Sequence, residues 1–167
     1  MQALAAGAGL APTVVLADEA EGFIVSRHAS GRTPSAADMH DTRLLERVGA
    51  WIAALHALPL PPGLAVVDFG ERAAGYLTRL QASSSGAFPG RLADELAVRR
   101  AALPRPVQLA TCHHDLHHRN FIDDGRRLLA VDWEYAGPGD PAADLASCIG
   151  YHGLRGEGVD ALLSGYG

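Results

Sequence analysis

The chain has 167 residues, 48% of them hydrophobic and 20% charged. That is enough for one domain with a buried core, and the composition is not that of a disordered chain. A net charge of −5 argues against a nucleic-acid partner, which calls for a basic stripe, and no apolar run approaches the roughly 20 residues of a membrane span. The first residues carry no positive leader, and the two cysteines, Cys112 and Cys148, read as buried thiols of a reducing compartment, so the cytoplasm is the expected location.

In chain order, Gly7-Ala8-Gly9 does not lie between two strand patterns and reads as the end of a short helix, where glycine supplies the left-handed cap. Residues 13–17 and 23–26 are β-branched or apolar runs around an acidic turn and predict an antiparallel hairpin. After a loop over 30–34, Leu44, Leu45, Val48, Ile52 and Leu55 recur at helical spacing, and Pro59 to Pro62 end that helix. His56 near its end is expected to satisfy helix-terminal carbonyls. Two further helices are predicted over 69–80 and 92–103. The Ser- and Gly-rich stretch between them, 81–90, suits either a substrate lid or a plain solvated connection. A strand over 107–111 follows, then a hairpin of 121–122 with 128–131 around Asp123-Asp124-Gly125, then helices over 142–149 and 158–163. There is no internal repeat.

Chemistry concentrates in two places. His113-His114-Asp115-Leu116-His117-His118-Arg119-Asn120 follows the predicted strand, and Val131-Asp132-Trp133-Glu134-Tyr135 ends the hairpin. Asp115 and Asn120, with four residues between them, and a second carboxylate at Asp132 beyond a hairpin match the spacing of kinase-fold phosphotransferases. The residue types suit that reaction: a carboxylate to receive a hydroxyl proton, and hard oxygen donors for Mg²⁺. Asp115 is therefore the candidate catalytic base, and Asn120 and Asp132 are the candidate metal ligands. The four histidines admit a zinc reading, because His113/His117 and His114/His118 would share a helix face. No glutamate accompanies them in the zinc-protease pattern, however, and their surroundings are turn-like. If 132–134 is extended, Asp132 and Glu134 face one way and Trp133 and Tyr135 the other. Glu134 is then a substrate or metal carboxylate, or a partner for an arginine such as Arg119. Trp133 is a packing residue, and Tyr135 and Tyr151 are open to a cation–π contact with an amine substrate.

The stretch 112–120, the run Ala130 to Gly137, then Gly139-Asp140-Pro141 and Asp144-Leu145-Ala146, resembles the aminoglycoside phosphotransferase and choline kinase superfamily. Asp132 to Gly137 resembles its choline, ethanolamine and thiamine kinase branch more than the antibiotic-resistance branch. The match is close over about 110–152 and looser back to Gly22 and Leu55-His56. The resemblance implies an α+β, protein-kinase-like fold: mostly the helical C-terminal lobe (30–167), with a remnant of the N-terminal lobe sheet and hinge (1–29). It implies ATP and Mg²⁺ as cofactors, a small-molecule alcohol as acceptor, adenine against the hinge backbone at Ser26, Arg27 and His28, and structural support of the catalytic loop from His113 and Asp144. Relatives also carry a Gly-rich phosphate loop and a strand lysine, whereas this sequence has no lysine. Two readings of that departure follow: a fragment of a longer product, or a diverged nucleotide- or small-molecule-binding protein without the phosphate clamp. An aminoglycoside kinase is the rival within the same chemistry.

Overall fold

The computed structural model describes residues 1–83, 90–102 and 108–167. In chain order the elements are α1 (Gln2–Gly7), β1 (Val14–Asp18), β2 (Phe23–Ser26), α2 (Thr42–His56), α3 (Phe69–Ala82), α4 (Gly90–Ala102), β3 (Ala110–Cys112), β4 (Phe121–Asp123), β5 (Leu128–Ala130), β6 (Gly137–Gly139), α5 (Pro141–His152) and α6 (Glu157–Tyr166). Single 3-10 turns occupy Asp38–His40 and His118–Asn120.

Helix α2 is the axis around which the rest packs. Asp41 caps it by accepting a hydrogen bond from the Arg43 N–H at 2.8 Å. Its apolar stripe buries Leu44, Leu45, Val48, Trp51, Ile52 and Leu55. Helix α6 lies across it at unusually close range, which two glycines make possible. A Cβ on Gly49 would run into the Leu162 carbonyl, and one on Gly165 into the Glu46 carbonyl. On its other side α2 meets Leu116, Phe121 and Trp133, with the Trp51 ring edge-on to Phe121 at 5.4 Å. The first residues join the same core: Ala5, Leu10 and Ala11 are buried in it, and the Leu10 carbonyl accepts from both the Trp51 indole and the Ala130 N–H.

Three two-stranded antiparallel sheets complete the architecture: β1 with β2, β3 with β6, and β4 with β5. The first is the expected N-terminal hairpin, and its apolar side chains Val15, Leu16, Phe23, Ile24 and Val25 are exposed. The third is the expected hairpin, with Phe121 opposite Ala130. Strand β3 falls at Ala110–Cys112 rather than at 107–111, and residues 103–107 lie outside the described ones. Its partner β6, three residues of Gly-Pro-Gly, has no β propensity and was not foreseen. Pairing with β3, Ala110 opposite Gly139, together with a bridge from Val67, holds it extended. The stretch considered for a lid lies outside the described residues at 84–89. Among the described residues no helix is long and apolar enough to cross a membrane.

Candidate active site

Strand β3 delivers the chain into the loop 113–117, and the loop is held from both ends by helix α5. The Asp140 side chain caps α5, with Pro141 in its first turn. One turn further on, the fully buried Asp144 carboxylate accepts the His113 N–H at 2.9 Å and the His114 N–H at 2.7 Å. Near the C-terminal end of α5, His152 Nδ1 lies 2.9 Å from the Cys148 carbonyl, so it carries the ring proton and Nε2 is left to accept the His118 N–H at 3.2 Å. Leu116, completely buried, pins the middle of the loop into the core.

Asp144 is itself held. His56 Nε2 lies 3.1 Å from its second oxygen, and His56 Nδ1 lies 3.0 Å from the Tyr166 hydroxyl. His56 therefore links α2, α5 and α6 instead of satisfying helix-terminal carbonyls. The polar groups buried behind the loop supply better partners than water-exposed carbonyls. Burial raises the Asp144 pKa, but hydrogen bonds from His56 and the two loop N–H groups outweigh it and leave the group below the ordinary aspartate value.

Within the loop, the Asn120 amide donates from Nδ2 to both the Asp115 carbonyl and Asp115 Oδ2, each at 2.9 Å. Asn120 Oδ1 and Asp115 Oδ1 then have no hydrogen-bond partner among the described residues. The Asn120 carbonyl accepts the Val131 N–H at 2.9 Å, and the Val131 carbonyl accepts from His113 Nε2 at 3.0 Å. Desolvation lowers the His113 pKa, so the ring is neutral with its proton on Nε2, and its buried Nδ1 has no partner. These bonds tie Val131, the residue before Asp132, to the 113–120 loop. Asp132 has φ +64, a left-handed conformation rarely adopted by residues with a side chain. Its exposed carboxylate makes no hydrogen bond or ion pair among the described residues. An unpaired carboxylate on a strained backbone, and an amide oxygen without a partner on the segment that Val131 bonds to, are donors of the type that suits a hard divalent cation.

The family description "Phosphotransferase enzyme family" matches residues 1–167. The chain belongs to this family. Over 80 residues it is 35% identical to a thiamine kinase from Escherichia coli O17:K52:H18, covering 48% of this chain and 24% of that protein. Over 50 residues it is 44% identical to a thiamine kinase from Shigella boydii, covering 30% and 18%. Among solved structures, a choline/ethanolamine kinase family protein from Mesorhizobium loti superposes with a TM-score of 0.79 at 29% identity, over 99% of this chain and 58% of that one. A choline kinase from Streptococcus pneumoniae superposes at 0.77 with 23% identity, over 98% and 58%. The fold is thus α+β and kinase-like, and the chain spans less than a quarter of the curated relatives and somewhat over half of the structural ones.

The remaining family-implied positions are less tightly joined to this centre. In the β1–β2 hairpin, Ser26 Oγ accepts from Gln2 and the Arg27 N–H donates to the Thr13 carbonyl. Neither these residues nor His28 makes a hydrogen bond or ion pair to the catalytic loop among the described residues. Residues 132–134 are not extended: the left-handed Asp132 and a turn closed by the Ala136 N–H on the Trp133 carbonyl break the expected alternation. Glu134 accordingly pairs with no arginine, Arg119 included, among the described residues. Trp133 packs beside His113 at 4.6 Å between ring centres and donates to the Ala130 carbonyl, in keeping with its expected role. Glu134 and Tyr135 line an open cleft of about 480 Å³ with Val67, Asp68, Glu71 and Arg72. The face of Tyr135 is covered by the Arg72 guanidinium at 5.5 Å, a cation–π contact within the chain itself. Tyr151 stacks on His117 at 4.8 Å.

The zinc arrangement does not form: only His118–Asn120 adopts a helical turn, so the histidine pairs do not share a helix face. Sequence reasoning missed His152, the His56–Asp144 link and the His117–Tyr151 stack. Each pairs residues at least 34 positions apart, and no periodicity connects them.

Proposed function

We propose that this chain carries the catalytic centre of an ATP-dependent phosphotransferase that phosphorylates the hydroxyl of a small molecule of the choline, ethanolamine or thiamine type. The observation that supports this most is the Asp115 carboxylate: one oxygen is tied to the Asn120 amide and the other is left open, in a loop clamped by α5. In the reaction the acceptor O–H gives its proton to the free oxygen of Asp115 as its own oxygen bonds to the γ-phosphorus. The bond from that phosphorus to the β–γ bridging oxygen breaks, and ADP leaves with the electron pair. Asn120 Oδ1 and the Asp132 carboxylate would hold Mg²⁺, which when bound neutralises the phosphate oxygens. The chain's own contribution is positioning: Asp144 and His152 hold the loop backbone, and the Asn120 amide fixes which carboxylate oxygen meets the acceptor.

The acceptor would enter from the cleft at Glu134 and Tyr135, with Tyr151 as a further candidate contact, and adenine would lie against Ser26, Arg27 and His28. Because the Arg27 N–H is engaged with Thr13, the backbone of His28 is the group left to meet the base. The 30–167 segment then acts as the C-terminal lobe and 1–29 as the hinge-side remnant.

Transfer from γ-labelled ATP with Mg²⁺ to choline, ethanolamine, thiamine and an aminoglycoside tests the proposal. Asp115→Ala is expected to lower transfer about 10²–10⁴-fold, the scale of lost general-base catalysis, with the fold intact. Full turnover in that variant would overturn the assignment, and preference for the aminoglycoside would move the acceptor to the rival class. The complete absence of lysine favours a second reading, nucleotide binding without transfer. Calorimetric ATP binding with no product from any acceptor is its signature.

A further inference from the structure

We infer that His117 is a positioning residue for Asp115, acting through its Nε2–H and held in place by Tyr151. This rests on the phosphotransferase reading above. His117 opens the 3-10 turn, and its Nδ1 accepts the Arg119 N–H at 3.2 Å. A nitrogen that accepts cannot carry the ring proton of a neutral imidazole, so the proton is on Nε2. Nε2 lies 3.6 Å from Asp115 Oδ2, the same oxygen that receives the Asn120 amide. The Asn120 amide bonds to this oxygen and the His117 N–H lies near it, and both leave Oδ1 to the acceptor.

The ring has little freedom to do anything else. Its edge is set by the Arg119 N–H, and its face is stacked on Tyr151 at 4.8 Å with 26° between planes. The His117 side chain is 14% exposed against 30% for Asp115, so the carboxylate is the more accessible of the two. At 3.6 Å the contact is longer than a hydrogen bond. Catalytic hydrogen bonds often lie open in the free protein and tighten when substrate is in place. His117 closes on Asp115 Oδ2 in the complex, stopping the carboxylate from rotating as the acceptor proton arrives on Oδ1.

Two substitutions separate this role from a purely structural one. His117→Asn places an amide oxygen near the position of Nδ1: it keeps the cap on the Arg119 N–H and loses the donor to Asp115. His117→Gln reaches the position of Nε2: it keeps the donor and gives up the cap. If His117 positions the base, the Asn variant loses about tenfold in kcat, with KM for ATP and acceptor within about twofold, and the Gln variant retains clearly more activity. Tyr151→Ala, which removes the stack on the His117 ring, falls toward the Asn variant in kcat. If His117 only caps the turn, the order reverses: Gln is the weaker enzyme and has the lower Tm. The reverse order, equal losses in both variants, or kcat unchanged in both would overturn the inference while leaving the phosphotransferase reading standing. A wild-type chain that transfers phosphate to no acceptor would remove that reading, and this role with it.

Discussion

Replacing Asp144 by alanine isolates the clamp that shapes the 113–120 loop. The carboxylate is completely buried and is met by the His113 N–H at 2.9 Å, the His114 N–H at 2.7 Å and His56 Nε2 at 3.1 Å. Alanine leaves two buried backbone donors without an acceptor, each costing about 1–3 kcal/mol. With His56 also stripped of its partner, the loss is expected at about 3–5 kcal/mol, the scale for breaking a buried polar pair. For a chain of this length that corresponds to a fall in Tm of roughly 6–20 °C. Urea unfolding followed by the fluorescence of Trp51 and Trp133, both buried in the core, gives the free-energy difference directly. The sign with pH provides a second check. The folded-state pKa of Asp144 lies below its unfolded value, so its contribution is complete above about pH 4–5 and lost as pH falls through the folded pKa. The difference between wild type and variant should shrink on acidification. A loss below about 1 kcal/mol at neutral pH with an unchanged m-value, or a difference that grows toward low pH, would refute the clamp.

Asp132→Ala is expected to raise the Kd for Mg·ATP by tenfold or more in calorimetry while moving Tm by less than about 3 °C, because the carboxylate is exposed and makes no hydrogen bond or ion pair among the described residues. Nucleotide affinity equal to wild type would make Asp132 a conformational residue only. Gly165→Ala drives a methyl into the Glu46 carbonyl where α6 crosses α2, and should cost about 1–3 kcal/mol in urea unfolding, a range set by overpacked cores; a neutral effect would mean that the helices separate easily. Desolvation lowers the pKa of His113 and His152 from 6.5, so the unfolded chain binds protons first and stability should decline as pH falls below about 6.5. A Tm constant from pH 7.5 to 5.5 would contradict their burial as neutral rings.

Most of the secondary structure and the family were legible in the sequence. The α2 stripe declares itself because 3.6-residue periodicity and proline stops are local signals, and the Asp123-Asp124-Gly125 turn announces its hairpin for the same reason. Asp115, Asn120 and Asp132 could be put forward as a candidate site because the spacing of loop and hairpin is carried along the chain. Strand β6 was invisible, since Gly137-Pro138-Gly139 is extended only through its pairing with β3. The alternation proposed for 132–134 failed because it assumes a pleated strand, and the left-handed Asp132 takes the chain out of one.

His56 shows the boundary most sharply. Its place at the end of α2 was plain, yet its partners Asp144 and Tyr166 come from helices 88 and 110 residues away. Local sequence determined which segments are helices, which turns join them, and which residue types carry the chemistry, because propensity, capping and turn geometry act over a few residues. Only the tertiary structure decided which side chains face one another across the core: what clamps the loop, which oxygen of Asp115 is left free, and that Arg72 covers Tyr135. Those pairings arise from the close crossing of α2 and α6 and from the docking of α5 behind the loop, where burial forces every polar group to find a partner regardless of its distance along the chain.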